Sequence, residues 1–244
     1  IVIGLGQGEN MAGSDVPAVL DRSKMVIYLE DGDIAELSVD GVQIWNEQIK
    51  VERKTHQITQ GAEGLDKTGY PHFLLKEIHE QPRVLRDTLA GRISDDNVKV
   101  TLNLDLGGLK LPEELFILGC GSASYACMVG EAFFAAITDT PALARVASEV
   151  EVPRRMGKET WSIFLSQSGE TADTVDAAKA SRDAGHFTFA LTNTPESSIT
   201  RIVDRSHALR AGQEVSVAST KTFTGSIAAL YLLGCRIGMA RGYL

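Results

Sequence analysis

The chain has 244 residues, 43% hydrophobic and 23% charged, as in a soluble globular protein with room for one large domain or one and a half ordinary ones. Its net charge of −8 argues against non-specific nucleic-acid binding and against an anionic membrane surface. Three Cys at irregular spacing point to reduced thiols in the cytoplasm, no Cys or His pair has zinc-ligand spacing, and no apolar stretch reads as long enough to span a bilayer.

The start, Ile1-Val2-Ile3-Gly4, carries neither a basic segment nor an initiator Met, so it does not read as a signal peptide. It reads as a chain cut within a larger protein. Residues 1–50 are mostly β in pattern. Ser14 to Leu20 is one short helix. Met25 to Leu29 is an apolar strand ended by the turn signal Glu30-Asp31-Gly32-Asp33. Ile34 to Val39 follows, then the hairpin signal Asp40-Gly41, then Val42 to Trp45, which together predict a meander. Residues 51–72 are polar and read as a linker around Gln60-Gly61-Ala62-Glu63-Gly64. Residues 73–112 hold linking helices: Phe73 to Glu80, an interruption at Gln81-Pro82, and Arg83 to Leu89. Residues 92–112 are irregular.

From residue 113 the pattern turns to α/β. The strands are Leu115 to Gly119, Ala142 to Val146, Trp161 to Leu165, Phe187 to Leu191 and His207 to Arg210. A Pro-containing segment follows the second. Helices at Ser124 to Ile137, Thr171 to Ala184, Ile199 to Val203 and Val217 to Met239 alternate with the strands. That alternation predicts a five-stranded, mostly parallel sheet covered on both faces, with ligands bound beyond the carboxyl ends of the strands.

Three loops carry the candidate chemistry, the first two of them at those ends. Ser166-Gln167-Ser168-Gly169-Glu170-Thr171 joins a strand to a helix. It puts three hydroxyls and an amide where the first backbone N–H groups of the helix have no internal partner. It contains no Lys or Arg, so the expected ligand is a phosphate held by dipoles and hydroxyls. Gly119-Cys120-Gly121-Ser122-Ala123-Ser124 lets the backbone approach a ligand closely. Cys120 reads as an inert thiol more than as a nucleophile. Val215 to Phe223 leads into the last helix, where Ser219 and the Val217 backbone could face a sugar and Lys221 could supply a counter-charge. Each loop also reads as an ordinary turn or helix cap. The glycines of Gly4-Leu5-Gly6-Gln7-Gly8 have the wrong spacing for a dinucleotide site. The five His are scattered and read as surface or packing residues.

Ser166 to Thr174 and Val217-Ala218-Ser219-Thr220-Lys221 resemble the sugar-isomerase (SIS) domain of the glutamine–fructose-6-phosphate aminotransferase family. Cys120-Gly121-Ser122 is similar to the family's Cys-Gly-Thr-Ser element. Ile3 to Asn10 and Ala12 to Asp15 resemble the late part of its N-terminal glutaminase domain, and Lys76 to Pro82 the segment leading into the isomerase half. The resemblance implies a three-layer αβα sandwich with a flavodoxin-like sheet over 113–244. An incomplete β-rich piece of an Ntn-type glutaminase domain would precede it over 1–50.

By the same resemblance, Ser166, Gln167, Ser168 and Thr171 would bind a sugar phosphate, helped by Ser122 and the backbone at Ala123. Cys120, Gly121, Val217 and Ser219 would line the sugar site. Ala123 departs from the family's usual Ser and would lose a phosphate hydroxyl. The ligand would be fructose 6-phosphate or glucosamine 6-phosphate, with glutamine used only by the full-length enzyme. No cofactor, metal, nucleic acid or membrane is expected, and the complete enzyme would be a homodimer. The family's catalytic Glu, His and Lys come from a second SIS domain or later, so this chain would carry a phosphosugar half site and no catalytic residue. A stand-alone phosphosugar sensor and a free-standing isomerase are the alternatives. The isomerase would need an acid/base Glu or His at the site, and Glu170 and Glu149 are the available acids.

Overall fold

The computed structural model describes residues 1–14, 16–20, 22–58, 67–94, 100, 109–152 and 159–244, and for Pro17 the backbone alone. Asp15 of the expected short helix, the Gln60 to Gly64 linker turn, most of the irregular stretch after residue 94 and Pro153 lie outside them. The chain forms two compact units, Ile1–Lys67 and Thr68–Leu244.

The first unit is β-rich. Strands β1 (Val2–Leu5), β2 (Asn10–Gly13), β3 (Met25–Tyr28) and β7 (Thr55–Gln57) make one antiparallel sheet in the order β2-β1-β3-β7. Strands β4 (Asp33–Leu37), β5 (Val42–Asn46) and β6 (Ile49–Val51) make a second. Helix α1 (Pro17–Leu20) contributes Val19, which is buried with Val2 and Val26. Ile3, Ile27 and Ile44 bury together and draw on both sheets. The expected meander is therefore broken. Asp40-Gly41 does lie in a hairpin, with Leu37 opposite Val42, but the turn at Asp31-Gly32 carries the chain from one sheet to the other. Strand β7 lies within the stretch read as linker; its three residues are all exposed, so no apolar alternation announced it.

In the second unit, α2 (Phe73–Leu89) runs through Pro82 as one helix, where the sequence predicts two. Proline removes the N–H that would bond the carbonyl of Ile78. The Gln81 side-chain amide donates to that carbonyl at 3.1 Å instead, so the helix continues. The sheet is β8 (Glu114–Gly119), β9 (Ala142–Val146), β10 (Thr160–Ser166), β11 (Phe187–Thr192) and β12 (Arg205–Ala208), in the order β9-β8-β10-β11-β12. All its pairings are parallel. This is the flavodoxin-like order, with its switch point between β8 and β10.

Side chains alternate across this sheet. Ile117, Trp161, Ile163 and Leu165 pack with α3 (Ser122–Ile137) and α5 (Lys221–Arg241) on one face. Leu118, Phe164 and Ala190 pack with α4 (Ala172–Asp183) on the other. Every residue of β10 is buried, as expected for a central strand covered on both faces. Each large apolar side chain sealed there contributes roughly 1.5–3 kcal/mol. Helix α5, at 21 residues and mean hydropathy 1.4, is long and apolar enough to span a membrane, contrary to the sequence reading. Half of its apolar window is buried and it packs on α2 and α3, so that apolarity belongs to the core. The five strands fall at the expected places, within about one residue except for β12, which ends at Ala208.

Candidate functional site

Strand β8 leads into α3 on one face and β10 into α4 on the other, so their carboxyl ends part and leave a crevice. A cavity of about 190 Å³ occupies it. Cys120, Ser122 and Ala123 from the first loop, Ser166, Gln167, Ser168 and Thr171 from the second, and Val217 and Ser219 from the third line its wall. The three loops are far apart in sequence, and the sheet order brings them together. Leu165, Thr222, Phe223 and Ser226 complete the wall. No charged side chain and no His lies among the lining residues.

Gly121 is the exception among the expected residues. It caps α3 at φ 57° and lies outside the wall. Its carbonyl accepts from the Ser124 hydroxyl at 2.7 Å, so it shapes the turn behind the cavity. The Ala123 N–H, expected to help a phosphate, is directed to the Cys120 carbonyl at 3.2 Å. The Ser122 hydroxyl is exposed and makes no hydrogen bond among the described residues.

The turn after β10 is held from below. Ser166 Oγ accepts from the Gly169 N–H at 3.0 Å and lies 3.3 Å from Thr171 Oγ1. Ser168 Oγ accepts from the Glu170 N–H at 3.1 Å. Gly169 has φ +67°, and a Cβ there would stand 2.0 Å from Ser197 Oγ, so only glycine fits. Glu170 faces away from the cavity. Its carboxylate accepts from the Ser198 N–H at 2.7 Å and the Ser198 hydroxyl at 2.6 Å, tying the turn to the loop after β11.

Three helices thus begin at the cavity, α3, α4 and α5, and the electrostatics of the last two differ. At α5 the protein supplies its own anion. Glu214 accepts from the N–H groups of Thr220 at 2.8 Å and Thr222 at 3.2 Å and from the Ser219 hydroxyl at 3.0 Å. At α4 the N–H groups of Thr171, Ala172 and Asp173 have no partner among the described residues. An external anion therefore finds open donors at α4 and a filled position at α5. Lys221 does not serve as a counter-charge in the cavity. It is 2% exposed, and its ammonium donates to Glu80 of α2 at 2.6 Å.

Sequence reading missed Glu77, Glu80 and Glu214. They act on the third loop without lining the cavity. Glu77 and Glu80 share a helix face, i to i+3, which is the one local signal they carry. Thr222 and Ser226, one turn apart on α5, were missed too; the Thr222 hydroxyl is buried without a partner among the described residues.

The SIS domain model matches residues 109–236. The glutamine–fructose-6-phosphate aminotransferase (isomerizing) of Halobacterium salinarum is 38% identical over 99% of this chain, and that of Pseudomonas putida 41% identical over all of it. The chain spans about 41% of the length of each. Among solved structures, the C-terminal domain of glucosamine-fructose-6-phosphate aminotransferase from Francisella tularensis superposes with a TM-score of 0.67. It is 29% identical and covers 73% of this chain, and the match covers 51% of that one.

Proposed function

Since the chain belongs to the SIS domain family, we propose that its second unit binds a sugar phosphate, fructose 6-phosphate or glucosamine 6-phosphate, in the cavity between β8 and β10. The observation that carries this reading is the contrast between the starts of α4 and α5. The open amides of α4, with the hydroxyls of Ser166, Ser168 and Thr171, suit a phosphate dianion that needs several N–H and O–H donors. Ser122 adds a hydroxyl across the cavity. Val217, Ser219 and Cys120 border the space left for the body of the sugar.

The reading extends to the whole protein of which this chain would be part. The relatives align across the first unit as well, so residues 1–50 are read as the late part of a glutamine amidotransferase domain. The complete protein would convert fructose 6-phosphate and glutamine to glucosamine 6-phosphate and glutamate, in the cytoplasm and as a homodimer. Without an acid, a base or a Lys in the cavity wall, this chain's share of that work is to bind and orient. The isomerase alternative needs an acid/base Glu or His at the ligand, and no His lines the cavity. Glu170 is committed to Ser198, and Glu149 does not line the cavity.

Calorimetric titration of the 244-residue chain tests the proposal. Fructose 6-phosphate is expected to bind, inorganic phosphate to bind more weakly, and fructose not to bind at millimolar concentration. Fructose 6-phosphate failing to bind would overturn the reading. Ammonia release from glutamine by this chain alone would overturn the division of labour.

A further inference from the structure

The third loop presents Val217 and Ser219 to the cavity, yet no apolar anchor holds it. Val217 is fully exposed and Val215 is 37% exposed. Glu214 holds the far end of the loop, at Ser219 and Thr220, and α2, more than a hundred residues earlier in the chain, holds its start. Glu77 is 1% exposed, and its carboxylate accepts from the Val215 N–H at 2.6 Å, the Ser216 N–H at 3.3 Å and the Ser216 hydroxyl. One turn on, Glu80 receives Lys221 at 2.6 Å and Gln81 receives the Thr224 hydroxyl at 2.6 Å. A buried carboxylate is costly unless donors surround it, and here the loop supplies the donors. Moving the loop would strand the charge, so the loop has one favoured position.

We infer that Glu77 is a positioning residue: it sets the loop of Val217 and Ser219 against the cavity and so governs how the body of the sugar is held. The phosphate turn is held separately, by Gly169 and by the Glu170–Ser198 pair. The two halves of the site therefore have different supports. This inference rests on the phosphosugar reading, and it separates two ligands that a general loss of structure would affect alike.

The test compares wild type with Glu77→Gln and Glu77→Ala in the full 244-residue chain. Affinity for fructose 6-phosphate and for inorganic phosphate is measured by calorimetry, and amide exchange is followed over 215–220. Glu77→Ala is expected to weaken fructose 6-phosphate about tenfold while inorganic phosphate stays within about twofold, with Glu77→Gln between. Exchange at Val215 and Ser216 should quicken. If Glu77→Ala fails to fold, Ser216→Ala, which removes one donor to the carboxylate, should show a smaller loss of the same kind. Equal loss of both ligands, unchanged sugar affinity or unchanged exchange would overturn the inference. If wild type binds neither ligand, the phosphosugar reading falls, and exchange alone then decides whether Glu77 holds the loop.

Discussion

Ser166 Oγ and Thr171 Oγ1 stand 3.3 Å apart at the mouth of the turn between β10 and α4. Ser166 also accepts the Gly169 N–H at 3.0 Å, so a hydroxyl that lines the cavity also shapes the turn. Ser166→Ala should therefore lose affinity for fructose 6-phosphate by about tenfold or more and stability by about 1 kcal/mol. Thr171→Val, which keeps the shape and leaves the Gly169 bond in place, should lose affinity with little change in stability. Titration and urea unfolding of both variants separate the two effects. Equal destabilisation in both would contradict this division.

Gly169 does not tolerate a side chain. With φ +67° and Ser197 Oγ 2.0 Å from any Cβ, Gly169→Ala must distort the turn or push the loop after β11 away. The backbone conformation alone costs about 1–2 kcal/mol in an L-residue, and the clash adds to it. The urea midpoint should fall and phosphosugar binding should vanish. A variant that binds normally would show that the turn is not the phosphate site.

Cys120 lines the cavity, whereas Cys127 is buried in the core and its burial pushes the thiol up to about 12. Alkylation followed by mass spectrometry should mark Cys120 in the native chain and spare Cys127. Saturating fructose 6-phosphate should slow the reaction of Cys120 by about tenfold, because bound sugar excludes the reagent. Unprotected Cys120 at saturating ligand would place the ligand elsewhere.

His207 gives the fold a pH dependence. Burial, with help from Arg92 and Arg210 nearby, pulls its imidazole from the ordinary 6.5 down to about 4. The unfolded chain takes up a proton as pH falls through 6.5, and the folded protein resists until about 4. The contribution is therefore whole above pH 6.5 and is lost between 6.5 and 4. Thermal melts across that window should fall more steeply for wild type than for His207→Gln. Parallel melting curves would assign the slope to other groups.

Much of this was legible in the chain. The strands of the parallel sheet read as short apolar runs because both their faces are covered. Ser166 to Thr171 was recognisable because a strand, hydroxyls, a glycine and a helix start follow one another without a gap. Two elements defied the same logic. Helix α2 continues through Pro82 because Gln81 supplies the bond that proline cannot. Strand β7 exists through pairing with β3 and has no buried face to leave a pattern.

The sequence by itself determined the alternation of strands and helices, the loops that hold the candidate ligand residues and the absence of basic groups from the turn between β10 and α4. These are properties of neighbours along the chain, and local periodicity and turn chemistry record them. Which helix start is open was decided only by the tertiary structure. Glu214 fills the start of α5, Glu80 claims Lys221 and Glu77 holds the loop of Val217, while among the described residues nothing of the kind reaches the start of α4. Glu77 and Glu80 meet their partners across more than a hundred residues of chain. Such charge pairing is fixed by the folded geometry, because a carboxylate buried on one helix takes whichever donors the packing brings to it.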